Sequence, residues 1–422
     1  MKNLFVIAES RQKSWNIKEG QGWFAQQGKV TSSPPFPKEG QGWFVNNSSF
    51  TPFTILLATL LLLLTGCRQA RTDIHAGQGD TLSLSYAKLL HVVKYQDYTL
   101  VSIDNPWKEG RTLHRYVLVD RNKPVTAQLP EGDVIKVPVE RSVIFTTAHC
   151  QLLQYLDADD KIVGVCDSRY MVIPSILQRI QEGGVVDCGD GMNPMIEKII
   201  DLTPDVILLS PFENAGGYGK IEEINIPYFE CADYMEPTAL GRAEWMRFYG
   251  LLFGKGEQAD ALFAQVDSAY HDLMAKAAAQ PKGRSIITER KTGSVWYVAG
   301  GKSVIGQVIK DANAGYAFAD NDKAGSLSLS FEAVLDKAGE TDLWLFKYNG
   351  DRPFTYSDLL AEYQGYSQLK AVREHQVYAC NASKQPFFEE TPFRPDWLLR
   401  DFIILAHPEL SLGIPKYYAP IK

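Results

Sequence analysis

A chain of 422 residues that is 45% apolar and 22% charged has ordinary globular composition and enough length for two domains with full cores. Its formal net charge of −7 offers no basic footprint, which argues against a nucleic acid or another polyanion as partner.

Residues 1–50 differ in character from the rest of the chain. Lys-Glu-Gly-Gln-Gly-Trp-Phe occurs at 18–24 and again at 38–44, in surroundings rich in Gly, Gln, Ser and Pro that cannot form a core. No basic segment directly precedes the aliphatic run over 53–64, so translation is expected to start downstream of Met1. That run is too short for a bilayer, which takes roughly 20 residues, and of the right length for the apolar h-region of a signal peptide. It ends in Leu64-Thr65-Gly66-Cys67, which resembles a bacterial lipobox and implies cleavage before Cys67, lipidation there and a protein tethered in the periplasm. Residues 1–66 are thus read as a signal region and 67–140 as a lipid-anchored linker with a small β extension. The short alternating runs of that extension, such as 98–103 and 116–119, are broken by turn signals and read as hairpins.

At Arg141 the texture changes to strands alternating with helices, the pattern of a mainly parallel sheet with helical crossovers. Strands are expected over 143–147, 162–166, 185–188, 206–210 and 228–231, with helices over 149–157, 171–182 and 193–202, in an N-terminal α/β binding lobe spanning 141–237. The last of these helices takes Asn193 as N-cap and Pro194 in its first turn. Thr203-Pro204 stops it, and the unbroken apolar Val206-Ile207-Leu208-Leu209 reads as a strand buried on both faces. Ligands of open α/β sheets collect beyond the carboxyl ends of the strands, which here carry Arg169, Tyr170, Phe212 and Tyr234. Over 238–280 strand signals vanish. Ala259, Leu262, Phe263, Val266, Tyr270 and Leu273 recur at helical spacing, so one rigid amphipathic helix of roughly 35 Å is expected over 257–279, a strut between two lobes.

The C-terminal α/β binding lobe, 281–422, is expected to hold strands over 285–288, 295–299, 343–346 and 376–380, helices over 303–311 and 395–406, and an aromatic loop with Phe387, Phe388 and Phe393. It echoes the first lobe. Ser-Leu-Ser-Phe-Glu-Ala-Val-Leu-Asp over 328–336 parallels Asn-Pro-Met-Ile-Glu-Lys-Ile-Ile-Asp over 193–201, and each is followed by an Asp and a buried strand. Glu197 and Glu332 fall at the same offset. The fold class is therefore α/β: two lobes with mainly parallel sheets joined by one long helix, plus the N-terminal β extension.

Candidate chemistry follows from strand ends. Arg290, Lys347 and Arg352 are cations in the second lobe that, with Arg169 in the first, suit an anionic ligand, because a guanidinium bonds carboxylates or catecholates in pairs. Trp296, Tyr348 and Phe387 offer flat surface for stacking. Ala299-Gly300-Gly301-Lys302-Ser303 reads as a helix N-terminus with free backbone N–H groups. It is not read as a nucleotide loop, since Trp296 stands where such a loop needs its first Gly. The seven His residues show no paired spacing for a metal, and neither a Gly-x-Ser-x-Gly nor a Cys/His pair marks a catalytic site. Cys150, Cys166, Cys188, Cys231 and Cys380 fall at or near strand ends, which suggests disulfides near the cleft, with soft-metal or haem ligation as the alternative.

From Arg141 to Leu410 the order of features resembles the periplasmic binding proteins of iron-complex and vitamin B12 ABC importers. The carriers are Glu197 ahead of Thr203-Pro204-Asp205-Val206-Ile207, the strut, Ala299-Gly300-Gly301-Lys302-Ser303, Glu332, and Arg394-Pro395-Asp396 through His407-Pro408-Glu409. The resemblance implies that Glu197 and Glu332 dock on a membrane permease. It also implies a lipid-anchored periplasmic substrate-binding protein, without a cofactor of its own, that delivers an iron complex, siderophore or haem, to an ABC permease and its ATPase. A cobalamin or other corrinoid is the alternative cargo. A periplasmic haem chelatase or other lipoprotein enzyme on the same scaffold is the alternative of another class.

Overall fold

The computed structural model describes residues 79–126, 128–213 and 218–422, so the duplicated leader, the apolar run and Cys67 lie outside the described residues. In the N-terminal lobe five parallel strands are ordered Tyr228–Glu230, Val206–Leu209, Ser142–Ile144, Ile162–Val165 and Val186–Asp187. The unbroken apolar run is explained by its two faces. Val206 and Leu208 point into a core shared with the rest of the molecule, and Ile207 and Leu209 into a separate cluster with Ile196 and Ile199.

The C-terminal lobe repeats this logic in the order Ala314–Gly315, Gly283–Thr288, Leu343–Tyr348, Val377–Asn381 and Ala419–Pro420, parallel except for the last strand. Leu343 and Leu345 face the shared core while Trp344 and Phe346 face the lobe's own aromatic cluster. Two expectations change in this lobe. Val295–Ala299 is no member of the parallel sheet; it centres an antiparallel ribbon with Lys291–Thr292 and Ser326–Leu329. The aromatic loop contains a short helix, Phe387–Glu390, which packs on helix Thr147–Tyr155 of the other lobe.

The connection between lobes is three helices, Ala239–Glu244, Met246–Leu252 and Gly256–Ala278. The third has 23 residues, about 35 Å at 1.5 Å each, and buries Ala259, Phe263, Val266, Tyr270 and Ala277 along one stripe. Met246–Leu252 packs against it on one side and Pro395–Ala406 of the C-terminal lobe on another. Gly250 permits the close crossing, since a Cβ there would sit 2.4 Å from that of Ala259.

The N-terminal extension is a five-stranded sheet over Asp80–Thr81, Leu90–Lys94, Thr99–Asp104, Thr112–Asp120 and Asp133–Val137. Its first four strands form antiparallel hairpins, but the fifth runs parallel to the fourth, so it needs a longer connection than a hairpin turn. The sheet is tied to the body by two buried carboxylates. Glu244 accepts from the N–H groups of Ser85 (2.8 Å), Tyr86 (2.7 Å) and Ala87 (2.9 Å). Glu236 accepts from those of Lys88 and Leu89 and from the Trp245 indole. His114 then bridges Glu230 of the lobe and Asp133 of the extension, at 2.8 Å each.

Candidate functional site

Helices Ile196–Leu202 and Phe331–Ala338 each bury their first and fourth residues and expose their second, Glu197 and Glu332. Both start two residues later than the sequence pattern suggested. The N-caps are Met195 and Ser330, because Asn193-Pro194 pairs with Gly189-Asp190 and Ser328 lies within strand Ser326–Leu329. The shift is equal in the two halves, so the carboxylates keep equivalent places in the first turn, where the helix dipole favours negative charge. A backbone N–H and the Ser330 hydroxyl hold the Glu332 carboxyl below the usual range. The surroundings differ between lobes: Met192, Met195 and Ile200 beside Glu197 are exposed large apolar side chains.

The central strands of the two sheets end at Ile144 and Leu209 in one lobe and at Thr288, Tyr348 and Asn381 in the other. The segments beyond these ends approach each other, with Thr147 bonded to Glu389 and the His149 ring 5.7 Å from that of Phe393. Ring contact continues from Tyr155 to Trp397. These contacts join the two lobes beyond the carboxyl ends of their strands, the side of an open α/β sheet where ligands collect.

Arg169 follows strand Ile162–Val165 with its side chain 54% exposed, and its Nη2 donates to Asp167 and to Asp190 at 2.9 Å each while the guanidinium lies over Tyr170. Burial and the nearby Asp190 push the Asp167 carboxyl above its ordinary value, against the N–H of Gly191 that donates to it. Arg290 pairs with Glu362 and lies between the Phe346 and Phe354 rings. Lys347 pairs with Glu289 beside the buried Phe387 ring. Arg352 is held by both oxygens of Asp358, at 2.6 and 2.7 Å, at the start of helix Tyr356–Glu362. Each of the four expected cations thus already has a carboxylate partner.

The aromatics divide more sharply. Trp296 is fully buried among Trp344, Tyr366 and Phe331, its N–H on the Thr288 carbonyl, so no ligand reaches its ring. Its strand joins the antiparallel ribbon and not the parallel sheet, which is why the strand-end reasoning placed it wrongly. Tyr348 is buried too; its hydroxyl donates to the Arg352 carbonyl and accepts from the Phe354 N–H. Tyr234 donates to the Pro211 carbonyl, next to the half-buried Phe212. Phe387 belongs to a ring cluster with Phe388, Tyr417 and Tyr418.

Two further expectations are corrected. The N–H groups of Gly300 and Lys302 are spent on the carbonyls of Gly325 and Lys323, so the loop before helix Val304–Asp311 has no free cradle there. Cys150, Cys166, Cys188, Cys231 and Cys380 are buried free thiols, and burial raises those of Cys188 to about 11 and Cys380 to about 12, far from the thiolate that a soft metal needs. Among the described residues, no group of three or more His, Cys, Asp or Glu converges on a metal site.

Sequence reasoning missed the buried polar groups. His149 Nε2 pairs with Asp233 at 3.0 Å, and Arg242 and Tyr249 donate to the same carboxylate. Burial disfavours charge on His149, but Cys231 and Asp233 outweigh it and push its pKa up to about 10. Cys231, His149 and Asp233 are all sealed from solvent, so the set braces the lobe and offers no accessible nucleophile. Glu389 was also missed, although Glu389-Glu390 inside an aromatic, proline-flanked run is a visible signal.

Residues 143–383 match the sequence model of a family described as periplasmic binding protein. An uncharacterized lipoprotein of Methanocaldococcus jannaschii is 24% identical over 362 residues, covering 80% of this chain and 85% of the relative. That span exceeds the segment from Val143 to the end, so it takes in the N-terminal sheet as well. An uncharacterized ABC transporter substrate-binding lipoprotein of Bacillus subtilis is 22% identical over 253 residues, 58% of this chain and 73% of its own. A periplasmic binding protein from Veillonella parvula superposes with a TM-score of 0.55 at 14% identity, over 74% of this chain and 99% of its own.

Proposed function

This chain belongs to the periplasmic binding protein family, a family of non-catalytic binding proteins, and on that premise we propose that it captures an iron complex, siderophore or haem, between its lobes and delivers it to an ABC permease. The observation that carries this reading is the pair Glu197 and Glu332, exposed at the same position of equivalent helices in the two halves. A single exposed Glu is an ordinary solvated residue. Two at matched places, one per lobe, suit a partner that spans both lobes and reads their separation. The relative from Bacillus subtilis, named as an ABC transporter substrate-binding lipoprotein, supports the permease and lipid-anchor parts of the proposal. Lipidation is assigned to Cys67, which would tether the protein in the periplasm. No helix among the described residues is long and apolar enough to cross a membrane.

Arg169 in one lobe and Arg290 and Lys347 in the other are proposed to meet the anionic groups of the cargo, with Tyr170, Phe212 and Tyr234 as apolar wall; Phe387, buried in its ring cluster, is left out as Trp296 and Tyr348 are. Their present carboxylate partners make binding an exchange of partners. The test is titration of purified protein with haem, ferric siderophores and cobalamin, followed in the visible spectrum. Saturable binding of an iron complex at micromolar concentration or below is expected. Binding of cobalamin alone would reassign the cargo to corrinoids, and binding of none of them would refute the proposed cargo.

A further inference from the structure

The two lobes touch where helix Phe387–Glu390 lies on helix Thr147–Tyr155, and Glu389 sits in that contact. It is 3% exposed, its carboxyl is bonded by Thr147, and its Oε2 has no hydrogen-bond partner. Titratable and charged groups face it from every side. On its own helix, Glu390 is held by the Tyr417 hydroxyl at 2.9 Å and the Lys416 ammonium at 3.0 Å. On the facing helix lie the Cys150 thiol and the His149 imidazole, which is spent on Thr146 and Asp233, and from strand Val377–Asn381 comes the Cys380 thiol. Arg179 and Lys347 are the nearby cations of those thiols. Arg179 is spent on the carbonyls of Asp159, Asp160 and Ile162, and Lys347 on Glu289. Among the described residues no cation pairs with Glu389.

A carboxylate in this position carries its charge without counterion or full hydrogen bonding, which is costly unless water enters. The neutral acid has no such need. We propose that Glu389 makes the contact between the lobes proton-dependent: protonated, it keeps the two helices together, and its ionisation admits water and parts them. Burial, the largest influence, raises its pKa from 4.5 to about 7. The sign follows from linkage. A carboxyl whose pKa is raised in the closed state favours closure fully below 4.5, loses about tenfold per pH unit as pH rises towards 7, and changes no further above it. This goes beyond cargo and permease, because it concerns how the unliganded lobes are held.

Hydrogen–deuterium exchange of the intact chain at pH 5 and pH 8, corrected for intrinsic rates, tests it. In wild type, protection of 147–155 and 387–390 should fall about 100-fold between the two. In Glu389→Gln it should stay high at both. A wild type with no pH effect at these helices overturns the proposal, and so does a Gln variant that keeps it. Should the variant fail to fold, the Glu389 carboxyl ¹³C resonance of the wild type decides: a midpoint near 7 supports the proposal and one below 5 overturns it.

Discussion

Removing the Glu244 carboxylate should detach the N-terminal sheet. Its two oxygens accept three backbone N–H groups, from Ser85, Tyr86 and Ala87, at 2.7 to 2.9 Å, and the side chain is fully buried. Hydrogen bonds to a charged group contribute about 1.5–3 kcal/mol each, but the three share one acceptor group and do not add. Glu244→Ala removes all three and leaves at least one buried donor unpaired, for a loss of about 4 kcal/mol. Glu244→Gln keeps one carbonyl oxygen and turns an NH2 towards a backbone N–H, for about 2–3 kcal/mol. Urea unfolding gives the totals, and limited proteolysis over 79–137 locates them, since the released segment should be cut while the lobes stay intact. A loss below about 1 kcal/mol for the Ala variant, or cleavage spread through the lobes, would refute the reasoning.

Charge reversal of Glu197 and Glu332 together should abolish uptake in cells while purified protein keeps its ligand affinity. Normal uptake by the double variant would remove the docking role. Replacing Arg169 and Arg290 by Gln should weaken an anionic iron complex by about 1–2 kcal/mol, less than unpaired guanidinium groups would give, because both already bond carboxylates. Cobalamin titrated in parallel should be unaffected. Burial opposes charge on His114, but its bonds to Glu230 and Asp133 outweigh this and raise its pKa. The tie between sheet and lobe is therefore fully present below 6.5 and weakens as pH rises through the raised value. Thermal melts across that range should show the slope in wild type and lose it in His114→Gln.

Features that depend on near neighbours along the chain were legible in the sequence. Two-sided strands such as Val206–Leu209 and the apolar stripe of Gly256–Ala278 report their burial through the side chains themselves, since strand and helix periods map sequence onto faces. The twin Glu positions were legible for the same reason: the internal repeat preserves their offset from flanking buried residues, even though both helix starts moved by two. Long-range partnership was not legible. Glu244 finds its donors more than 150 residues upstream, Trp296 enters the core because its strand joins a ribbon and not the sheet, and Arg169, Arg290 and Lys347 meet carboxylates from other segments. The five cysteines near strand ends looked like a cleft set, yet each is buried as a free thiol. Hydrogen bonds and burial of this kind depend on which distant surfaces the folded chain presses together, and local composition carries no record of that.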